Sequence, residues 1–325
     1  MKLLVTGAGG FIGSHVVEAL LRAGHEVRAL VHYNSRGSWG HLDERNGAAL
    51  EKLEVRPGDV SDASMVRALV EGCDVVLHLA ALIGIPYSYH APASYVATNV
   101  SGSLNILEAC RASRVRRVVV TSTSEVYGTA RYTPIDEKHP LQAQSPYAAS
   151  KVAADKLAES YFCSFDLPVV ILRPFNTFGP RQSARAIIPT VLSQALNGIP
   201  EIRLGNLEPK RDLTFVEDTA RAFVLAAETP GIEGEVIHFG QGEAVSVGEL
   251  AQRCLDTVGS KARIISVPER QRPASSEVGL LLCDAAKARR VLNWTPQVSL
   301  DEGLHRTADY LRQHLTDYRH GLYVV

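Results

Sequence analysis

Five cysteines in 325 residues (Cys73, Cys110, Cys163, Cys254 and Cys283) are few, odd in number and widely spaced. With no CxxC pair among them, they argue against a disulfide framework and a zinc site, and they fit a reducing compartment. An excess of either charge is also missing, since 34 Lys and Arg face 35 Asp and Glu for a net charge of −1. That removes the electrostatic footprint expected for nucleic acid or an anionic membrane surface. A polyanionic small molecule stays open, because a few local Arg and Lys suffice for it. No apolar run approaches the roughly 18 residues of a membrane helix. Met1 leads straight into the apolar stretch 2–6, with no room for a basic leader and cleavage site, so a cytoplasmic protein is expected. The eleven histidines show neither HExxH nor facial-triad spacing, and no metal site is expected. Internal repeats and low-complexity segments are absent too.

What is present is an ordinary globular composition, 46% hydrophobic, in a chain long enough for about two domains and a large unstapled core. Short β-branched runs at 3–6, 27–31, 53–56, 75–79, 118–122 and 169–173 alternate with helix-length segments such as 12–23, which Gly24 closes, and 105–112. Strands that are nearly all apolar and alternate with helices predict an α/β fold, a doubly wound parallel sheet covered on both faces. Such sheets bind ligands at the carboxyl ends of their strands. After Pro174 the rhythm changes to helices at 187–197, 217–228 and 247–258 split by loops rich in Arg and Pro. That half reads as a smaller lid, with a strand near 236–239 returning to the main sheet.

The first strand ends in Thr6-Gly7-Ala8-Gly9-Gly10-Phe11-Ile12-Gly13, a GxxGxxG turn that opens a helix. Gly7 allows the tight turn, Gly10 lets backbone approach a pyrophosphate, and Gly13 lets helix and sheet pack closely. The helix start, Phe11 and Ile12 included, then offers N–H donors to the anion. A carboxylate for the ribose hydroxyls of NAD belongs at the end of the second strand. The sequence there is His32-Tyr33-Asn34-Ser35-Arg36 instead. His32, Asn34, Ser35 and Arg36 would meet a ribose or its 2′-phosphate, unless Arg36 is only a solvated loop residue, so NAD and NADP both stay open. Asp59 and Val60 suit an adenine contact, with an ordinary turn aspartate as the alternative.

Strand five ends Thr121-Ser122-Thr123-Ser124-Glu125-Val126-Tyr127, and Ser145-Pro146-Tyr147-Ala148-Ala149-Ser150-Lys151 follows with Pro146 at a helix start. Tyr147 and Lys151, four apart, share a helix face. A free tyrosine with a pKa of about 10 is barely ionised at neutral pH. Lys151 and an oxidised nicotinamide, two positive charges, are expected to lower it by roughly 1–3 units each. Tyr147 could then take the proton of a substrate hydroxyl that Thr123 holds, while hydride leaves the same carbon.

These residues together resemble an extended short-chain dehydrogenase/reductase of the nucleotide-sugar epimerase/dehydratase family. The likeness spans nearly the whole length and includes His78-Leu79-Ala80-Ala81, Asn99 in Thr98-Asn99-Val100, Arg173-Pro174-Phe175-Asn176 and Arg211-Asp212-Leu213. It implies a Rossmann-type dinucleotide-binding domain over 1–176, with returning segments near 212–240. A smaller mixed α/β domain, mainly 177–325, would bind the nucleotide-sugar. Leu79, Ala80, Ala81, Asn99 and Pro174 are implied cofactor contacts. His78, on an apolar strand, is expected to be a core histidine.

Position 125 bears on the chemistry. Family members that only invert C4 usually carry a small or neutral residue there, whereas a 4,6-dehydratase needs a base. Glu125 would remove the C5 proton of a 4-ketone as the C6 hydroxyl leaves, unless it merely binds the neighbouring loop. Ser124 stands where dTDP-glucose dehydratases have an Asp acid, and the Thr-Ser-Glu order resembles GDP-mannose 4,6-dehydratases. The stretches 32–39, 81–92 and 176–189 resemble the NAD-dependent dehydratase of bacterial legionaminic acid synthesis, which acts on a GDP-linked N-acetylglucosamine. That resemblance favours NAD slightly over NADP, tightly bound and recycled. It places Asn176, Arg181, Arg185, Arg211 and Arg272 on the nucleotide diphosphate and Pro86 on the sugar pocket wall. UDP-glucuronate decarboxylases share the Thr-Ser-Glu-Val-Tyr-Gly run, so decarboxylation stays open beside 4-epimerisation and, more distantly, a non-catalytic dinucleotide-binding scaffold. A homodimer through Leu104, Leu107, Ala148, Val152 and Leu157 is expected, with core packing as their other explanation.

Overall fold

A computed structural model describes residues 1–44 and 50–318 of the chain. Its first half runs β1 (Lys2–Thr6), α1 (Phe11–Arg22), β2 (Glu26–His32), β3 (Leu53–Gly58), α2 (Ala63–Val70) and β4 (Val75–His78). Two short helices, α3 (Ile85–His90) and α4 (Pro92–Tyr95), lead through a π-wound turn into α5 (Gly102–Ser113). Then come β5 (Arg117–Thr121), α6 (Pro146–Phe165) and β6 (Val169–Pro174). The second half adds β7 (Asn176–Phe178), α7 (Ile187–Leu196), β8 (Glu201–Leu204), β9 (Lys210–Phe215), α8 (Val216–Glu228) and β10 (Val236–Phe239). It closes with β11 (Ala244–Ser246), α9 (Val247–Val258), β12 (Arg263–Ser266), β13 (Leu280–Leu281), α10 (Ala286–Leu292) and α11 (Leu300–Gln313).

Seven parallel strands form one sheet in the order β10-β6-β5-β4-β1-β2-β3. Side chains alternate across it with a period of two. Leu3, Val5, Val27, Ala29, Val119 and Leu172 join α1 and α8 on one face. Leu4, Leu30, Val76, Val118, Val120 and Ile171 join α2, α5 and α6 on the other. Helices on both faces explain why the strands read as unbroken apolar runs. This is the Rossmann-type α/β fold, and the order reverses between β1 and β4, which opens a crevice at their carboxyl ends.

A second core lies under α7, α9 and α11, where Val191, Leu192, Leu250, Cys254, Leu304 and Leu311 meet Phe178 and Phe215. A small sheet, with β9 between β11 and β13 and also paired with β7, joins this lobe to the crevice. Of the expected returning segment 212–240, only α8 and β10 join the main sheet and its helices. Residues 212–215 belong to the small sheet, because β9 spends its hydrogen bonds on β7, β11 and β13. Residues 45–49 and 319–325, within the two halves expected from the sequence, lie outside the described residues. Of the residues expected at a dimer surface, Leu107 and Ala148 are consumed by the chain's own interior, while Leu104 is 38% exposed.

Beneath the strand ends lies a buried polar network. Asp155 on α6 accepts hydrogen bonds from Arg173 Nη2 at 2.7 Å and from the Ser122 hydroxyl at 2.6 Å. Arg173 also donates to the Tyr127 hydroxyl, which lies 2.6 Å from His238 Nε2 on β10. Asp155 and Arg173 are almost fully removed from water, so neither tolerates the loss of its partner. Asp155→Ala, which strands the Arg173 charge, is expected to cost about 3–5 kcal/mol, read from the urea midpoint of unfolding.

Candidate active site

The crevice opens into a cleft of about 1220 Å³, more than the roughly 300–1,000 Å³ usual for one small ligand. At one end the chain leaves β1 through Gly7, whose φ of +69° few side chains adopt and where a Cβ would lie 2.9 Å from the Ala80 nitrogen. A Cβ on Gly13 would lie 2.1 Å from the Gly7 oxygen, so that helix and turn touch only because it is glycine. No side chain caps α1 and its first turn holds no acid. Gly10, Phe11, Ile12 and Gly13 line the cleft there, so the uncapped helix start is free for an anion. This cradle fits the pyrophosphate of a dinucleotide.

Beyond it, Asn34 shapes the loop after β2 by accepting from the Arg36 and Ser38 nitrogens, at 3.1 and 3.2 Å, and donating to the Ser38 carbonyl at 2.7 Å. His41 N donates to the Gly9 carbonyl at 3.0 Å, which lays the loop across the glycine turn. His32, Asn34 and Arg36 line the cleft, and Ser35 does not. Asp59 and Val60 line it as well. Asp59 accepts from Ser61 N at 2.8 Å, and that bond chiefly holds its carboxyl below the usual range. Leu79, Ala80, Ala81 and Pro174 complete this wall.

Two expected binding residues lie elsewhere. Asn99 is fully buried in the π-wound turn, where Oδ1 accepts from Leu82 N and Nδ2 donates to Leu82 O and Ser150 Oγ, at 2.8–2.9 Å. It splints the 79–82 loop to α6 and does not line the cleft. Arg181, at φ +70°, turns away to Glu18 at 2.8 Å, Glu44 at 3.3 Å and Ser14 at 3.3 Å. Tyr310 of α11 also donates to Glu44, so Arg181 ties the two lobes together and is not among the cleft residues. Its motif matched relatives, but the carboxylates that claim it come from distant parts of the chain. His78 lies between Thr6 Oγ1 and Ser103 Oγ, at 2.9 and 3.0 Å, and burial pushes it down to about 3. It is a neutral core histidine.

At the centre, β5 delivers Thr123, Ser124 and Glu125 to the cleft, and the first turns of α6 deliver Tyr147 and Lys151. The Ser145 side chain caps α6 at Ala148 N, with Pro146 in the first turn. Thr123 Oγ1 accepts from Glu125 N at 3.2 Å, and Thr123 and Tyr147 both line the cleft. Lys151 Nζ donates to the Thr121 carbonyl at 2.6 Å. Burial pushes the Tyr147 hydroxyl up, the Thr123 side chain opposes that, and the Glu125 charge adds to it. The sequence argument expected Lys151 to lower Tyr147. Lys151 is itself buried and pushed down, and its ammonium is held by the Thr121 carbonyl, so the dominant local effect runs the other way.

The far end carries Asn176, Arg185, Arg211 and Arg272, with Pro86 on the wall. Asn176 Oδ1 is buried without a hydrogen-bond partner in a residue that faces the cleft, as expected of a group that awaits a ligand donor. Arg211 and Arg272 converge on Glu277 Oε1 at 3.5 and 3.8 Å. Burial depresses the Arg211 guanidinium, against the pull of the nearby Glu125 carboxylate. Sequence reasoning did not pick out Glu277, which lines the cleft, or Tyr95, which is buried behind it. Tyr95 sits edge-on to Tyr147, with ring centroids 6.2 Å apart. No motif spacing marks either residue; both are recognised only by what the fold puts beside them.

Residues 4–307 match the family model described as GDP-mannose 4,6 dehydratase. The chain is 36% identical over 318 residues to a UDP-glucose 4-epimerase of Mycolicibacterium smegmatis, covering 96% of this chain and 99% of that protein. It is 32% identical over 317 residues to a dTDP-glucose 4,6-dehydratase of an Actinoplanes species, covering 96% and 98%. Among solved structures, the dTDP-glucose 4,6-dehydratase DesIV of Streptomyces venezuelae with NAD bound superposes with a TM-score of 0.88 at 31% identity, covering 98% of this chain and 99% of that one.

Two outcomes follow from the geometry. Arg181→Ala is expected to lower the unfolding midpoint and leave nucleoside diphosphate affinity unchanged, as calorimetry would show; a matching loss of affinity would return Arg181 to the ligand site. In ultraviolet titration of cofactor-free protein, the tyrosinate signal lost in Tyr147→Phe should appear above the ordinary pKa of about 10. Oxidised cofactor should move that signal to lower pH, since a nearby cation favours the phenolate.

Proposed function

We propose, for a chain that belongs to the GDP-mannose 4,6-dehydratase family, that it is an NAD(P)-dependent nucleotide-sugar 4,6-dehydratase of the legionaminic-acid type, acting on a GDP-linked N-acetylglucosamine. The observation that carries this reading is Glu125, a carboxylate in the same cleft as Thr123, Tyr147 and Lys151. The glycine turn, the loop of His32 to Arg36, Asp59, Val60 and the 79–81 wall would hold the cofactor. When bound, it supplies a hydride acceptor at C4 and returns the hydride at C6, so there is no net redox and the cofactor is recycled.

Tyr147 takes the C4 hydroxyl proton while Thr123 holds that oxygen, and Lys151 stabilises the phenolate from the same helix face. Once C4 is a ketone the C5 proton is acidic, and Glu125 removes it. The electron pair left at C5 forms the C5=C6 bond as the C6–O bond breaks, and the departing hydroxyl takes the proton from Glu125 and leaves as water; when hydride returns to C6, C5 takes up a proton from solvent. Ser124, whose hydroxyl is far less acidic than an Asp carboxyl, leaves both tasks to Glu125. Arg211 and Arg272 bind the diphosphate, where guanidinium offers parallel hydrogen bonds, while Asn176 offers Nδ2 to a phosphate oxygen and keeps Oδ1 for a ligand hydroxyl or N–H.

On this reading, residues 1–176 with α8 and β10 serve the dinucleotide, and most of the remainder serves the sugar nucleotide. Leu104, with the half-buried Val152 and Leu157, would contribute to a homodimer surface of α5 and α6 in a cytoplasmic enzyme.

Mass spectrometry of GDP-N-acetylglucosamine, its UDP analogue and UDP-glucuronate after incubation in deuterated water tests the reading. Loss of water with one deuterium at C5 is expected. Loss of carbon dioxide, or an unchanged mass with a C4 epimer and no deuterium, would overturn it. Glu125→Gln should slow product formation by about 10²–10⁴-fold while reduced nicotinamide absorbance still appears, because C4 oxidation does not need the base.

A further inference from the structure

Among the described residues, Arg36, Arg185, Arg211, Arg270 and Arg272 line the cleft. Arg211 and Arg272 meet at Glu277, and Arg211 lies in the field of Glu125. Arg185 stands apart, against the 82–86 loop. A Cβ on Gly84 would lie 2.8 Å from Arg185 Nη1 and 3.5 Å from the Tyr95 hydroxyl, so the absent side chain is what makes room for the guanidinium. Tyr95 donates to the Gly84 carbonyl at 2.5 Å and packs edge-on to the Tyr147 ring, which fixes this loop to the catalytic helix. Arg185 Nε faces Ser183 Oγ at 3.3 Å, which leaves the Nη hydrogens directed to the loop and cleft.

A pyranose with its C4 oxygen at Tyr147 and its C5–C6 edge at Glu125 sends C1 and the diphosphate away from C4, toward Arg211 and Arg272. Its C2–C3 edge is then the one opposite Glu125, left for the 82–86 loop, against which Arg185 lies beside Tyr95. The wall beside Arg185 is apolar: Ile83, 58% exposed, lines the cleft together with Ile85 and Pro86. A group with donors only, next to bare hydrocarbon, suits a substituent that pairs an acceptor oxygen with a methyl. A hydroxyl would leave the apolar wall unused, and a diphosphate would not face it.

We infer that Arg185 is a specificity-determining residue that donates its Nη hydrogens to the carbonyl oxygen of an N-acyl group at C2 of the sugar, with Ile83, Ile85 and Pro86 receiving the methyl. The inference rests on the dehydratase reading for the orientation of the ring. It removes Arg185 from the diphosphate, where sequence resemblance placed it.

Calorimetric titration of holoenzyme in a Tyr147→Phe background, which blocks turnover, tests it with GDP-N-acetylglucosamine, GDP-glucose and GDP. The UDP series run in parallel covers the other base. Arg185→Ala should weaken the N-acyl ligand by about 10–100-fold, the span for a hydrogen bond to a charged group, and leave the glucose ligand and the free nucleotide unchanged. Gly84→Ala, which displaces the guanidinium without removing it, should act in the same direction. Arg185→Lys, which keeps a charge but loses the fork, should recover only part of the loss. Equal weakening of free GDP would make Arg185 a diphosphate ligand and overturn the inference, as would unaltered N-acyl affinity. Binding is read without any product, so a failure of the dehydratase reading appears in the mass assay and not here.

Discussion

The catalytic geometry depends on the buried ion pair between Asp155 and Arg173. Asp155 sits one turn beyond Lys151 on α6, and Arg173 belongs to β6, two residues before the chain passes into the second lobe. Through Ser122 the pair reaches the end of β5, and through Tyr127 and His238 it reaches the turn after β5 and the edge strand β10. The helix carrying Tyr147 and Lys151 is thus clamped to the strand end carrying Thr123 and Glu125. Removing both charges from water is expensive, and only mutual pairing with further hydrogen bonds offsets that cost. The same cost penalises any arrangement in which the helix slides relative to the sheet.

Around that clamp the cleft separates its charges by task. Donors without carboxylates lie at the glycine turn, where α1 starts uncapped. Tyr147 and Lys151 are both buried, and burial disfavours the charged form of each. At the far end, Glu277 occupies the two arginines that a diphosphate would need, and Arg185 lies apart on the apolar loop.

Features that depend on neighbours in the chain were legible in the sequence. Gly7 and Gly13 are required by the turn itself, and Pro146 with Ser145 marks the start of α6. The four-residue spacing of Tyr147 and Lys151 puts both in the cleft. The unbroken apolar strands announced a sheet buried on both faces. Arg181 and Asn99 show where that reasoning stops. Arg181 was expected on the diphosphate by resemblance alone, yet Glu18 and Glu44, more than a hundred residues away in the chain, claim its guanidinium. Asn99 spends its whole amide on Leu82 and Ser150.

By itself the sequence determined the α/β sheet, the dinucleotide turn and the identity of the central residues, because hydrophobic period, glycine backbone freedom and helical spacing act over a few residues. Only the tertiary structure decided which arginines line the cleft, which carboxylates hold them, and that burial raises Tyr147. Those outcomes depend on desolvation and on charges brought together from distant segments, and such quantities have no value until the chain has folded.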